Sequence, residues 1–169
     1  SEQRRKEEEK RSKNKGQPQK PIEDSSEIVA NQGDYEWPVP GFTHITSGFG
    51  DREGRSKPHG AIDIGRTNGK SIYGANVVAA GSGIVISAGV IGGYGNSVLI
   101  DHGNKVVTRY SHLSKIAVSA KQKVSRKQII GQVGSTGFST GPHLDFEFMV
   151  DGVKRDPTKY VKPNPVPLS

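Results

Sequence analysis

Asn96-Ser97-Val98-Leu99-Ile100-Asp101 and Lys105-Val106-Val107-Thr108-Arg109-Tyr110 stand on either side of His102-Gly103-Asn104. Both runs are rich in residues that favour strands, and the three residues between them have turn composition. Together they predict a β-hairpin. Working outward, Val77-Val78-Ala79-Ala80 and Gly83-Ile84-Val85-Ile86-Ser87-Ala88 read as strands. On the other side, His143 through Val150 runs into Asp151-Gly152, a second strong hairpin signal. The only helical expectation is a short segment from Ile116 to Ala120. Glycine punctuates nearly every connection, with 22 in the chain. The pattern predicts an all-β fold, an antiparallel β-sandwich or open barrel, and excludes a mostly helical one.

The ends read differently. Residues 1–20 carry no aliphatic or aromatic side chain. Glu7-Glu8-Glu9-Lys10-Arg11 has the charge spacing of a frayed helix end but no apolar face to pack, so disorder, or the end of a coiled coil, is expected there. Pro18, Pro21, Ser25, Ser26 and Gly33 then read as linker. Large apolar residues first gather at Tyr35-Glu36-Trp37-Pro38-Val39-Pro40. The expected organisation is a charged tail and linker over 1–34, one domain over 35–163, and a short exit over 164–169 marked by Pro165 and Pro167.

Composition narrows the class. Hydrophobic residues make up 31% of the chain, below the usual globular share, as a polar tail on a loop-rich domain would give. No run approaches the length of a membrane helix, and no leader peptide is visible. With no cysteine, disulfides and thiolate metal sites are excluded. The net charge is +7, but residues 1–36 hold eight Lys/Arg against nine Asp/Glu. Residues 37–169 therefore carry a balance of +8. That charge admits nucleic acid, an anionic membrane or an anionic wall polymer as partner.

The residues able to do chemistry lie near element ends. His59-Gly60-Ala61-Ile62-Asp63 puts an imidazole and a carboxylate on one glycine-containing segment. Tyr110-Ser111-His112-Leu113 closes a predicted strand, and Gly141-Pro142-His143-Leu144-Asp145 opens another. Residues two apart in a strand face the same side, so His143 and Asp145 can share a cleft. Imidazole and carboxylate are the donors zinc takes where no thiolate exists. His44 and His102 read as a surface residue and a turn residue.

In their order along the chain, these segments resemble the M23 peptidases, the lysostaphin/LytM-type zinc endopeptidases of bacterial cell walls. The likeness is carried by Trp37-Pro38-Val39-Pro40, Thr46 through Arg52, His59 through Ile64, Ala79 through Gly83, Tyr110-Ser111-His112-Leu113, Ile130 through Gly137 and Gly141-Pro142-His143-Leu144. It covers nearly all of residues 37–161. The resemblance implies the LytM fold of the duplicated hybrid motif type and an M23-type metalloendopeptidase. It also implies that His59 and Asp63 bind Zn2+, and that His112 and His143 flank its water as general base and transition-state stabiliser. It implies peptidoglycan stem peptides or cross-bridges as substrate, and an extracellular or envelope location.

The chain departs from that family at one position. The family's third ligand is a histidine two residues after the position of His143, and here Asp145 stands there. Three readings stay open. Asp145 completes a His/Asp/Asp zinc site through oxygen; or metal is lost and the domain serves as a binding, activator or scaffold module with a protein partner; or the residue is an introduced, inactivating change. Nucleic acid is excluded as partner. Aromatics are only 7%, and Lys121, Lys123, Arg126 and Lys127 are not interleaved with them. Gly92-Gly93-Tyr94-Gly95 lacks the Gly-Lys-Ser/Thr of a phosphate loop and reads as a β-turn.

Overall fold

Alternation of buried and exposed positions draws almost every ordered segment into strands. The computed structural model describes residues 35–52 and 56–163. The tail expected over 1–34 and the exit over 164–169 lie outside the described residues. The strands are β1 (Tyr35–Glu36), β2 (Ile45–Ser47), β3 (Ile62–Ile64), β4 (Asn76–Val78), β5 (Gly83–Val90) and β6 (Asn96–Gly103). They continue as β7 (Val106–Ile116), β8 (Lys123–Val124), β9 (Ile129–Val133), β10 (Leu144–Val150), β11 (Val153–Arg155) and β12 (Val161–Lys162). The main sheet is antiparallel and runs β2-β3-β10-β7-β6-β5-β8, with β11 on β10 and β9 joining β7 to β4. Among the described residues the exception to the antiparallel pattern is a separate parallel pair, β1 with β12.

The three strands β3, β10 and β7 set up the rest. Asp145 pairs with Asp63 on one side and Ser111 on the other, while Phe146 pairs with Ile62 and Tyr110. Because successive side chains alternate faces, Ile62, Ile64, Tyr110, Leu144, Phe146 and Phe148 all fall on one face. All six are fully buried there. Each contributes roughly 1.5–3 kcal/mol through apolar burial. The opposite face of the same strands carries Asp63, Asp145, Ser111, Glu147 and Arg109. Hydrophobic packing on one side thus fixes where the polar side chains stand on the other.

The long strand β7 changes partner along its length. Residues 106–111 pair with β10, and Leu113, Lys115 and Ile116 pair with β9. This pairing corrects the helix expected over Ile116–Ala120. Ile116 is the end of β7, opposite Gly131, and the Ala117 N–H donates to Ile130 O at 2.9 Å. A five-residue helix has too few internal bonds to outweigh that pairing.

The first hairpin is also shifted from its expected place. Strand β6 extends through Gly103, which pairs with Val106, and the two-residue turn is Asn104-Lys105, both with positive φ (53° and 68°). The Asp151-Gly152 turn has the same signature, with φ of 53° and 77°. His102 is therefore a strand residue and not a turn residue. Its Nδ1 donates to Ser82 O at 2.9 Å and its Nε2 lies 2.8 Å from Thr108 Oγ1. Thr108 Oγ1 is in turn 2.7 Å from Tyr110 Oη, which accepts the Ala80 N–H at 2.9 Å. Burial pushes the Tyr110 hydroxyl up to about 12 and holds His102 below its ordinary 6.5. His44, by contrast, is exposed as expected. Gly92–Tyr94 closes as a single 3-10 turn.

A histidine whose folded pKa is depressed binds its proton more readily in the unfolded chain. Stability is complete above 6.5 and falls as pH drops below that value. Thermal unfolding followed between pH 8 and pH 5 (values about the histidine range) should show a steeper loss for the unaltered domain than for His102→Gln.

Candidate metal centre

Three side chains from three places in the chain converge on the polar face. His59 arrives on the loop before β3, Asp63 is the middle residue of β3, and Asp145 is its cross-strand partner on β10. One ligand atom from each lies within 4.8 Å of the other two. His59 Nε2 stands 3.5 Å from Asp63 Oδ1 and 3.7 Å from Asp145 Oδ2. Metal–ligand bonds of about 2.0–2.1 Å in a tetrahedron give ligand–ligand edges of about 3.4 Å, so the spacing fits one small divalent cation. Both carboxylates are buried, each 8% exposed. Two like charges held together in this way favour a cation between them. Asp145 Oδ1 is buried without a hydrogen-bond partner, a further sign of a donor set that fits a metal. One nitrogen and two oxygens suit zinc, and suit harder divalent ions as well.

The other two predicted site histidines stand at the edge of this group. His112 Nε2 is 4.0 Å from Asp145 Oδ2, and His143 Nε2 is 3.8 Å from Asp63 Oδ1. The two rings lie 4.7 Å apart at their centroids. All five predicted site residues are thus brought together. Each imidazole is anchored by its far nitrogen. His112 Nδ1 donates to Thr136 O at 2.7 Å, and His143 Nδ1 donates to Gly141 O at 2.9 Å. His59 Nδ1 lies 3.2 Å from Ser47 Oγ. With Nδ1–H committed to a carbonyl, the neutral rings of His112 and His143 present Nε2 as an acceptor.

Local backbone explains how His112 reaches this place. Between Asn96↔Leu113 and Val98↔Tyr110 the register of β6 and β7 shifts, leaving an extra residue on β7. His112 sits in that bulge with φ 65°. A bulge re-aims a side chain, and a non-glycine residue in the left-handed region is held there by its surroundings. It also lies where β7 leaves β10 and joins β9.

Several contributors went unread in the sequence. Ser47, Thr136 and Gly141 act through a hydroxyl or carbonyl that no spacing rule flags, although all three lie within family-like segments. Glu147, 2% exposed, forms a short ion pair with Arg109, and its Oε2 is 3.4 Å from Lys154 Nζ. Gly60 makes room for this: a Cβ there would come within 2.7 Å of Lys154 Cδ. The Tyr94 ring rests on the Arg109 guanidinium, 3.7 Å away.

Comparison with known proteins bears on the family and the fold. The family model of Peptidase family M23 matches residues 57–157. The peptidoglycan DD-endopeptidase ShyA of Vibrio cholerae is 41% identical over 121 residues, 69% of this chain and 27% of ShyA. The chain spans between a quarter and a third of the length of such curated relatives. A zinc-containing peptidase from Vibrio cholerae superimposes with TM-score 0.67 at 37% identity, over 76% of this chain and 40% of that one. Lysostaphin, an antimicrobial peptidase from Staphylococcus simulans, gives 0.60 at 32% identity, over 69% and 48%. The all-β antiparallel fold is thus of the LytM/lysostaphin type.

The bulge makes a stability test specific. Alanine at position 112 keeps the strained backbone and glycine relieves it, by roughly 1–2 kcal/mol for an L-residue with positive φ. His112→Gly should therefore unfold at higher urea than His112→Ala, the reverse of the usual order in a strand.

Proposed function

The chain belongs to Peptidase family M23, and from that premise we propose that it is a zinc-dependent endopeptidase cutting a peptide bond between two D residues of peptidoglycan. The observation that carries this reading is the convergence of His59, Asp63 and Asp145 with the Nε2 atoms of His112 and His143 turned toward their carboxylates. The D,D choice follows the activity in ShyA's name.

His59, Asp63 and Asp145 would hold the metal. When bound, zinc would supply Lewis-acid polarisation of the scissile carbonyl and lower the pKa of the attacking water. The remaining work belongs to the side chains around it. His112 and His143 each offer an unprotonated Nε2 within reach of the same small space, so one accepts the proton of the attacking water. Once protonated, that Nε2 becomes a donor and hydrogen-bonds the developing oxyanion together with its neighbour. The Thr136 and Gly141 carbonyls hold both rings in the orientation that this exchange requires. Two carboxylate ligands offset the full charge of a divalent ion, where the family's pattern has one carboxylate. The site is therefore less electron-withdrawing, and slower hydrolysis than in relatives with a third histidine is expected.

The substrate places the domain outside the cell or in the envelope. The +8 balance of residues 37–169 favours an anionic wall polymer as a secondary contact. The second reading, a domain that keeps the fold for binding or activation with a protein partner, draws its support from Asp145 alone.

Elemental analysis of the purified domain separates the two. About one zinc per chain, with peptidoglycan hydrolysis that falls by about 10²–10⁴ in His112→Ala or His143→Ala while zinc is retained, is the expected result. A metal-free unaltered domain that gains zinc only as Asp145→His would remove the enzyme reading and leave the binding module.

A further inference from the structure

We propose that Tyr94 and Phe138 form an aromatic clamp that selects a small uncharged residue next to the scissile bond; the proposal rests on the hydrolase reading above. A cavity of about 270 Å3 opens beside the metal-ligand group, lined by Gly93, Tyr94, His112, Phe138 and Asp145. Two of these five belong to the reacting site already described. The others come from the 3-10 turn before β6 and from the segment between β9 and β10, and none of them has been given a role.

Phe138 is 88% exposed. A phenyl ring left in water contributes almost nothing to folding, yet its backbone is tightly fixed. Its N–H donates to Gly93 O at 2.7 Å. Gly137 has φ 74°, and a Cβ on it would collide with Gly93 O and lie 2.5 Å from Gly95 N. Gly95 has φ 68°, and a Cβ there would be 2.5 Å from the Thr136 carbonyl carbon. The two segments interlock through glycines that admit no side chain. The Phe138 ring lies against the outcome of that interlock, since a Cβ on Gly93 would meet its Cδ2 at 2.8 Å. Tyr94 is fixed by a different route. Its ring stacks on Arg109, which Glu147 holds from below.

The lining chemistry selects the occupant. Two aromatic surfaces favour a methyl or other apolar group. The lining includes no Lys or Arg to pair with an acidic side chain, which would lose hydration between the two rings without a compensating partner. A residue such as D-Ala fits this lining, and D-Glu does not.

The test uses the zinc-loaded protein and synthetic peptides that carry D-Ala, Gly or D-Glu beside the scissile bond. Hydrophobic pockets discriminate at the level of tenfold or more per small group. The unaltered enzyme should therefore prefer D-Ala over D-Glu about tenfold in kcat/KM. In Phe138→Ala that ratio should fall to about twofold through a higher KM, and Phe138→Tyr should restore it. An unchanged ratio in Phe138→Ala, or an equal fall in kcat on all three peptides, would overturn the clamp. If the unaltered protein cuts none of them, the hydrolase reading fails, and calorimetric titration of the same peptides still decides the clamp. Tighter binding of D-Ala that disappears in Phe138→Ala supports it. Equal or absent binding overturns it.

Discussion

The register of β3, β10 and β7 is the constraint from which the rest of this structure follows. Slipping any of the three by one residue would turn Ile62, Phe146 and Tyr110 into the polar cleft and Asp63, Asp145 and Ser111 into the core. The cost of burying those carboxylates in an apolar environment rules that slip out. The side chains of the candidate centre are thus placed by hydrophobic packing on the far side of their own strands. The three histidines are placed by other means, His59 on a loop, His112 in a bulge and His143 just before β10, and all three are pinned by hydrogen bonds to their far nitrogens.

Electrostatics on the polar face is organised in two adjoining groups. Asp63 and Asp145 form one, which a divalent cation would balance. Glu147, Arg109 and Lys154 form the other, in which a nearly inaccessible carboxylate is flanked by two cations. Removing one member of such a group leaves an uncompensated buried charge, which is far more costly than the group is stabilising. Position 147 is therefore tied to 109, although neither residue belongs to the candidate centre.

Much of this was legible in the sequence, for identifiable reasons. Strand-forming runs around turn residues gave the hairpins, and ordered short motifs gave the family and the five residues that the fold brings together. What escaped has a physical cause in each case. The end of β7 was read as helix because Ile116 and Ala117 take their pairing from β9, which is distant in sequence. The hairpin turn was set two residues early because Lys105, an unfavourable turn residue, adopts positive φ where Gly103 was the obvious candidate. His102 was read as a turn residue for the same reason. The bulge at His112 leaves no trace in composition, since it arises where Ser97 alone on β6 stands opposite Ser111 and His112 on β7.

The glycine interlock between the two loops separates two demands that usually compete. Gly93, Gly95 and Gly137 carry the geometry, while the side chain at position 138 touches little that the fold requires. Mutation at 138 is therefore close to free of the stability threshold that filters most substitutions. Such a position lets a lineage change what its cleft accepts without first acquiring compensating changes elsewhere, and it offers the same freedom to directed evolution.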